Sequence, residues 1–381
     1  MTDASTKKVI VIGAGVIGLT TAIVIQEKDG YKVTIVAELL PSDPKSTRYT
    51  SHWAGAHHVS LASSTDSKQQ GKLLYLDYDS ALSGLEIEMD LETFKVMWEM
   101  SAPGSLTENC FLRMTQEEYH CEERPEPDVH SFMPDYRVQP PEVWPNGAVH
   151  GIAFSTVTID TPVYLEYLMS RFLNNGGTVI RGNVQHIDQL VEGGEHVIDG
   201  GSEGPVSPDA IVVCVGLGAR TLSGVDDQDV YPIRGQTVLL RAPWIRFGRT
   251  LSSMNGTWTY IIPRKSGDVI VGGTVVPNDW YPRPRPETTR DILERVFTLC
   301  PELAPPEIRA VREPAVEDLL PIIIEEGCGF RPGRKGGIRI EGEKKGSVSI
   351  VYNYGHGGYG YIASWGSANR ALAVLEGLLK K

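Results

Sequence analysis

A glycine-rich turn between an apolar strand and an apolar helix restricts how this chain can fold more than any other feature. Residues 9–12 (VIVI) are typical of a buried strand, and a helix-like run begins at Leu19. Between them Gly13, Gly15 and Gly18 follow the spacing G-x-G-x-x-G. The first glycine permits a tight turn, the second lets a pyrophosphate approach the backbone, and the third lets the helix pack closely on the strand. In this context the motif predicts a dinucleotide bound at a helix N-terminus.

The next strand supports this interpretation. Residues 31–36 (YKVTIV) are followed by Glu38. Glu38 lies about 20 residues beyond Gly18, where a carboxylate accepts a hydrogen bond from a ribose hydroxyl in such folds.

A secretory signal is the competing interpretation of the same segment, because Lys7 and Lys8 precede the apolar residues 9–25. Two observations argue against it: the glycines have binding spacing, and residues 26–29 (QEKD) follow without a small-residue cleavage site. No other segment is apolar for long enough to span a bilayer. We therefore expect a soluble protein.

Charge and cysteine usage exclude other classes of function. The 381 residues carry a net charge of −12, which would repel a phosphate backbone, so we expect no nucleic-acid partner. The five cysteines include no C-x-x-C pair, so we predict neither a disulfide framework nor a metal site. The length suits two domains.

Strands and helices typical of a nucleotide-binding fold occur again later in the chain, separated by segments of a different pattern. Residues 161–172 are expected to form a helix, and residues 178–180 and 209–215 are expected to form strands. At Gly216, we expect the backbone to approach a cofactor closely for a second time. A last strand over residues 347–352 enters the glycine-rich run NYGHGGYG, before a helix over about 361–379.

The segments in between differ in pattern. Residues 91–100 look helical within an irregular region rich in Pro and Glu, and residues 231–320 alternate like an antiparallel sheet. We predict an α/β fold in which a Rossmann-like FAD-binding domain is interleaved with an α+β substrate domain on a mainly antiparallel sheet. The FAD-binding domain is expected to comprise residues 1–60, 148–230 and 331–381, and the substrate domain residues 61–147 and 231–330. Such interleaving favours FAD over NAD.

The chain resembles the D-amino acid oxidase family of flavoproteins, including D-aspartate oxidases, over nearly its whole length. The resemblance depends on seven motifs in the same order, which are VIGAGVIGL (11–19), WAG (53–55), RGQ (234–236), YIIP (260–263), GGT (272–274), GFRP (329–332) and NYGHGGYG (353–360).

The resemblance implies roles for the residues in contact with a substrate. Arg331 would hold the substrate carboxylate with its planar guanidinium, Tyr260 would donate to the same carboxylate, and the backbone carbonyl of Gly358 would accept from the amine. The implied reaction is hydride transfer from Cα to the flavin of FAD. Reoxidation by O₂ would then give H₂O₂, and hydrolysis of the imino acid a 2-oxo acid and ammonia.

The resemblance also implies a set of cofactor contacts. The predicted FAD-binding residues are Gly13, Ala14, Gly15, Val16, Ile17, Gly18, Glu38, Arg48, Thr50, Ser51, Gly55, Ala56, Val184, Gly216, Gly357, Gly358, Tyr359, Gly360, Tyr361 and Ile362. The helix after Gly360 would direct its positive end at the flavin.

Substrate preference is left open between two alternatives. His58 occupies the position that faces the substrate in the family, where it could pair with an acidic side chain. Val275, however, stands just after G-G-T, where D-aspartate oxidases of mammalian type carry an arginine. Residues 252–258 are expected to cover the pocket, with Met254 or Trp258 lining an apolar side of it. We expect neutral D-amino acids to be favoured, with a D-aspartate or D-glutamate oxidase as the alternative.

Three other functions compete: an NAD-linked dehydrogenase, an oxidase of glycine or sarcosine, and a non-catalytic dinucleotide-binding protein. The family implies a peroxisomal location, but the chain ends in Leu379-Lys380-Lys381 and not in an S-K-L-type tripeptide, so a cytoplasmic location is the alternative. The expected partners are a small D-amino acid and O₂, with a homodimer possible and no membrane partner.

Overall fold

The computed structural model describes residues 6–59, 84–124, 128, 130–200, 206–252 and 258–380. One of its two sheets has six strands in the order β14-β15-β7-β1-β2-β6. These strands are β1 (Lys7–Ile12), β2 (Tyr31–Ala37), β6 (Thr178–Arg181), β7 (Ala210–Val213), β14 (Arg339–Lys345) and β15 (Val348–Tyr354). All neighbours pair in parallel except β14, which is antiparallel to β15.

Both faces of this sheet are buried, which explains the unbroken apolar run in β1. Val9 and Val11 belong to one apolar cluster and Ile10 to another, because successive side chains of a strand point to opposite faces. The face that carries Val9 and Val11 packs against three helices, α1 (Val16–Gln26), α3 (Thr161–Asn174) and α8 (Ser364–Leu379). The face that carries Ile10 packs against α4 (Ile187–Gly193) and the short α5 (His196–Asp199).

The second sheet has nine strands and is mainly antiparallel, with one parallel pair between β3 and β9. Its path runs β12-β8-β11-β10-β9-β3-β5-β4, and β13 also pairs with β8. The strands are β3 (Phe111–His120), β4 (Arg137–Val138), β5 (His150–Ile159), β8 (Val230–Arg241), β9 (Gly248–Ser252), β10 (Trp258–Pro263), β11 (Asp268–Gly272), β12 (Val276–Pro277) and β13 (Ile323–Arg334).

The two faces of the nine-stranded sheet have different neighbours. Ile261 and the other residues of one face pack on α6 (Pro286–Leu299) in an apolar core. Tyr260 and Ile262, on either side of Ile261 in β10, point to the opposite face and line a large cavity. The remaining helices are α2 (Gly84–Met100) and α7 (Pro306–Arg309).

The α/β fold and its antiparallel second sheet are confirmed, but the sheet expected over residues 231–320 is interrupted. Helix α6 lies inside that range, and its buried side chains recur with helical spacing at Thr289, Ile292, Leu293 and Val296. The alternation of the flanking strands does not continue through this segment, and Pro286 begins the helix.

The domain boundaries stay a prediction, and strand pairing differs from them in two places. Strand β5 was expected in the cofactor domain but pairs with β3. Strand β13 crosses the expected boundary at residue 331 and pairs with β8 throughout. Pairing follows register across the sheet and not position in the chain, so both strands belong to the antiparallel sheet. Within the described ranges, no helix combines the length and apolar character needed to cross a bilayer.

Candidate active site

The turn between β1 and α1 has two positions that only glycine can occupy. Gly13 has a φ of +105°, and a Cβ there would lie 2.5 Å from the carbonyl oxygen of Cys214 on the neighbouring strand. A Cβ at Gly18 would lie 2.0 Å from the carbonyl oxygen of Gly13. The turn therefore closes tightly on the sheet, and the N-terminus of α1 starts at its edge.

A short 3₁₀ turn, Thr50–Trp53, braces this glycine loop. The backbone N–H of Val16 donates to Ser51 Oγ at 3.0 Å, and the Tyr49 hydroxyl donates to the carbonyl of Ala14. The Tyr361 hydroxyl donates to the carbonyl of Ser51 at 2.9 Å. The early glycine loop and the late glycine-rich segment are thus joined through one turn.

A cavity of about 1120 Å³ begins at this loop. Nineteen of the twenty predicted FAD-binding residues line it, although their individual roles stay predictions. They are Gly13, Ala14, Gly15, Val16, Ile17, Glu38, Arg48, Thr50, Ser51, Gly55, Ala56, Val184, Gly216, Gly357, Gly358, Tyr359, Gly360, Tyr361 and Ile362. The exception, Gly18, faces the sheet, where it permits the close packing of α1.

At the other end of the cavity, the nine-stranded sheet forms one wall. Tyr260 pairs with Thr250 across β10 and β9, and Thr250 pairs with Glu118 across β9 and β3. All three line the cavity, as do Ser252 and His120 in the next row. Cross-strand partners share a face, so a row of polar side chains extends from Tyr260 toward β3.

Arg331 lies beside Tyr260 at this end. A Cβ at Gly235 would lie 2.4 Å from Arg331 Nη1, so the guanidinium lies over a glycine of β8. Arg331 Nη1 donates to the carbonyl of Thr274 at 3.1 Å, and Arg331 Cδ is 3.7 Å from where a Cβ of Gly358 would be. The structure therefore brings Arg331, Tyr260 and Gly358 together in one part of the cavity.

The electrostatics of Tyr260 suit a hydrogen-bond donor. Burial raises the pKa of its hydroxyl, and the nearby charges of Arg331 and Arg295 oppose this only in part. The phenol is consequently protonated at neutral pH. Its ring lies against Gly272 and Gly273, where added Cβ atoms would be 2.5 and 2.3 Å from the hydroxyl oxygen.

His58 does not line the cavity, contrary to the position expected for it. Its side chain is fully buried, and Nε2 lies 3.1 Å from Asp90 Oδ1 of α2. The adjacent His57 lines the cavity instead, because neighbouring side chains of this extended segment face opposite sides. Of the two residues expected to line an apolar side of the pocket, Trp258 lines the cavity, and Met254 lies outside the described residues.

A polar cluster surrounds the end of the row near β3. Its members are Arg124, Asp128, His130, His120, His57 and Glu118, and all of them except Asp128 line the cavity. His130 Nδ1 is 2.9 Å from Asp128 Oδ1, and Arg124 Nε is 3.9 Å from Asp128 Oδ2. Gln116 Nε2, on the same strand face, donates to Glu118 at 2.6 Å and to Thr250 at 3.0 Å.

Burial sets the protonation of most of this cluster. Burial lowers the pKa of both His57 and His120 to about 3, so both rings are neutral at physiological pH. Burial also raises the pKa of Glu118. At Asp128 burial favours the acid, but hydrogen bonds from the side chain and backbone of His130 outweigh it and lower the pKa to about 2.

Sequence reasoning missed this cluster, apart from noting His57. The signal that could have found part of it is the alternation of Gln116, Glu118 and His120 along β3, which places three polar residues on one face. Arg124 and His130 follow β3 in irregular segments, so no periodicity marks them. Among described residues, no group of three or more His, Cys, Asp or Glu side chains is arranged to hold a metal ion.

A family model described as "FAD dependent oxidoreductase" (DAO) matches residues 8–373. The chain belongs to this DAO family. Two relatives are similar over nearly full length. One is a D-aspartate oxidase of Cryptococcus neoformans, 35% identical over 97% of each protein. The other is a D-amino-acid oxidase of Schizosaccharomyces pombe, 33% identical over 95% of this chain and 94% of that one.

A solved structure shows the same fold. Glycine oxidase from Geobacillus kaustophilus matches with a TM-score of 0.67 and 17% identity, over 97% of this chain and 95% of that one. As a DAO-family member the protein is an FAD-dependent, amino-acid-oxidase-type enzyme.

The residues present fit FAD. The tight turn at Gly13 and the start of α1 offer backbone N–H groups to a pyrophosphate, and Glu38 lines the cavity at the end of β2. His356, also in the lining, is buried, and burial lowers its pKa to about 3, so it adds no charge near the late glycine segment.

Proposed function

We propose that this protein catalyses the oxidative deamination of D-amino acids, giving a 2-oxo acid, ammonia and H₂O₂. The observation that supports this best is the position of Arg331, beside the protonated hydroxyl of Tyr260 and in the same cavity as the glycine loop. A cation and a neutral donor that converge on one place suit a carboxylate, which accepts several hydrogen bonds at once.

Three groups of the chain would orient the substrate. The planar guanidinium of Arg331 would pair with the two α-carboxylate oxygens, and Tyr260 would donate to one of them. The backbone carbonyl of Gly358 would accept from the amine. With both groups fixed, only one enantiomer directs its Cα hydrogen to a given side, so stereochemistry follows from the position of these three groups.

The residues that line the first half of the cavity would hold FAD, which supplies the two-electron acceptor for the substrate and is reoxidised by O₂. None of the three substrate-binding groups is placed as a general base. The work of the protein is then positioning and the exclusion of water. A peroxisomal or cytoplasmic location and a homodimer both stay predictions.

The test is H₂O₂ formation by the purified, FAD-loaded protein with D-alanine, D-aspartate, their L-enantiomers, glycine and sarcosine. Turnover of at least one D-amino acid, with none of its L-enantiomer, supports the proposal. Faster turnover of sarcosine or glycine would assign the protein to the other oxidase type, and no turnover with bound FAD would favour a binding role.

Acidic D-amino acids are the second candidate, and one observation favours them. The cavity beyond Tyr260 ends in Arg124 and three histidines, a polar lining with a fixed positive charge. A relative 35% identical to this chain is a D-aspartate oxidase. The expectation of neutral substrates depended on Val275, which also lines the cavity but is 40% exposed. The D-alanine to D-aspartate rate ratio at two pH values distinguishes these candidates.

A further inference from the structure

The polar cluster contains one buried carboxylate–imidazole pair whose geometry is well defined. Asp128 Oδ1 accepts from the backbone N–H of His130 at 2.8 Å and lies 2.9 Å from the ring Nδ1. The His130 ring stacks on Phe154 of β5, with centroids 5.0 Å apart and planes 11° apart. Asp128 and His130 are nearly inaccessible to solvent, at 3% exposure each. The ring is therefore held in one orientation.

The other ring nitrogen of His130 has no hydrogen-bond partner among the described residues. Nε2 is buried, no described residue forms a hydrogen bond with it, and His130 lines the cavity. Since the Asp128 carboxylate accepts the proton of Nδ1, Nε2 is a hydrogen-bond acceptor while the ring is neutral. It becomes a donor only when the ring gains a second proton.

Few charges around His130 could balance an anion. Its own segment contributes Asp128 and Arg124, β3 contributes Glu118 and His120, and the segment after Trp53 contributes His57. Behind His57, Asp90 of α2 lies against His58. His57 and His120 stay neutral, and Arg124 is already close to the Asp128 carboxylate. Among the described residues, a second carboxylate in this end of the cavity would thus have to share the Arg124 guanidinium with Asp128.

We propose that His130, positioned by Asp128, binds the side-chain carboxylate of an acidic substrate through Nε2 and takes up one proton from solution as that substrate binds. The proposal rests on the proposed function in its acidic form. The incoming anion favours the imidazolium because opposite charges attract strongly at a buried site. Asp128 acts as a positioning residue: it keeps the first proton on Nδ1, so the second one appears at Nε2.

The experiment compares two ligands that cannot be oxidised at an amino-bearing Cα. Succinate carries two carboxylates, and butyrate has the same chain length with one. Each is titrated into FAD-loaded protein at about pH 7.5, where both ligands are fully ionised. Flavin absorbance reports affinity, and a pH indicator in weak buffer counts protons. We expect succinate binding to take up as much as one proton, and butyrate binding to take up none.

Variants assign the proton to a residue. His130→Gln should abolish the uptake and weaken succinate about tenfold, with butyrate affinity unchanged. Asp128→Asn should reduce the uptake and raise KM for D-aspartate several-fold more than KM for the uncharged D-asparagine, with kcat little changed. Glu118→Gln should retain the uptake. The matched control is Asp135→Asn, at an exposed carboxylate that accepts a hydrogen bond from Ser155. Its proton uptake and its KM values should equal those of the wild type.

Two results would overturn the proposal: equal proton counts for succinate and butyrate, or an uptake that persists in His130→Gln. Uptake lost in Glu118→Gln and kept in His130→Gln would assign the proton to Glu118 instead. Failure of the proposed function has a different signature, since it would appear as absent H₂O₂ formation with every D-amino acid, whereas the ligand titrations need no turnover.

Discussion

The two ends of the cavity are built in different ways. At the nucleotide end the backbone defines the site: Gly13 and Gly18 let β1, α1 and the strand before Cys214 approach within distances that exclude a Cβ. At the substrate end side chains define it, and they come from β3, β9, β10 and β13 as well as from irregular segments. A site made of backbone leaves a glycine spacing in the sequence. A site made of side chains depends on sheet register and leaves only scattered polar residues.

The largest effect is expected at the nucleotide end, from Gly13→Ala. An alanine there has an unfavourable φ and a Cβ 2.5 Å from the Cys214 carbonyl oxygen, a combined cost of about 2–4 kcal/mol. The turn can relax from this contact only by leaving the geometry that suits a pyrophosphate, so FAD binding must restore the strain. FAD affinity should therefore fall roughly 30- to 700-fold, measured by flavin fluorescence titration of the apoprotein.

Gly30→Ala is the matched control. Gly30 also has a positive φ, +89°, but no atom of a described residue lies within 4 Å of an added Cβ. It should lose about 1–2 kcal/mol of unfolding free energy and keep its FAD affinity. Equal FAD affinities in the two variants would contradict a nucleotide end defined by close backbone approach.

Gly235→Ala tests whether the substrate end depends on the position of one side chain. The new Cβ would lie 2.4 Å from Arg331 Nη1, so the guanidinium must move. We expect kcat/KM to fall roughly 10- to 100-fold with FAD content unchanged, because small misplacements of a binding group are costly. Gly377→Ala on α8, where an added Cβ meets nothing, should leave kcat/KM unchanged and stabilise the fold by as much as about 1 kcal/mol.

Arg124→Met tests the polar cluster at the substrate end of the cavity. Loss of this cation should lower the ratio of kcat/KM for D-aspartate to that for D-asparagine about tenfold, the equivalent of one charged hydrogen bond. Arg137→Met, at an exposed position of β4, controls for the loss of a positive charge and should leave the ratio unchanged. A ratio unaffected in Arg124→Met would favour neutral substrates.

Tyr260→Phe should have the smallest effect. It removes one hydrogen bond to the α-carboxylate, worth about 0.5–1.5 kcal/mol, so KM should rise roughly two- to tenfold for D-aspartate and D-asparagine alike. Tyr167→Phe on α3, outside the cavity lining, is the control. A change confined to D-aspartate would place Tyr260 against the side chain of the substrate and not its α-carboxylate.

The same difference between the two ends explains how much could be predicted. The sequence predicted the α/β fold and the strand, helix and second strand that flank the glycine loop, since local spacing and strand–turn–helix order carry that information. It placed Arg331 and Tyr260 through a resemblance and not through a local pattern. The same resemblance placed His58, and not His57, against the substrate. Which of the two faces the cavity depends on the bridge between His57 and Thr158, a contact distant in sequence. Arg124, Asp128 and His130 gave no periodic signal at all.

In the proposed function, Arg331 holds the α-carboxylate of a D-amino acid inside the FAD cavity. Anaerobic mixing of FAD-loaded wild type and Arg331→Met with a D-amino acid, followed by flavin absorbance, tests it most directly. We expect the wild type to be bleached by the D-enantiomer alone. The variant should keep its FAD but bleach at least about 30-fold more slowly, because a lost charged pair at a buried site costs about 2–5 kcal/mol. Bleaching of the variant at the wild-type rate would contradict the claim.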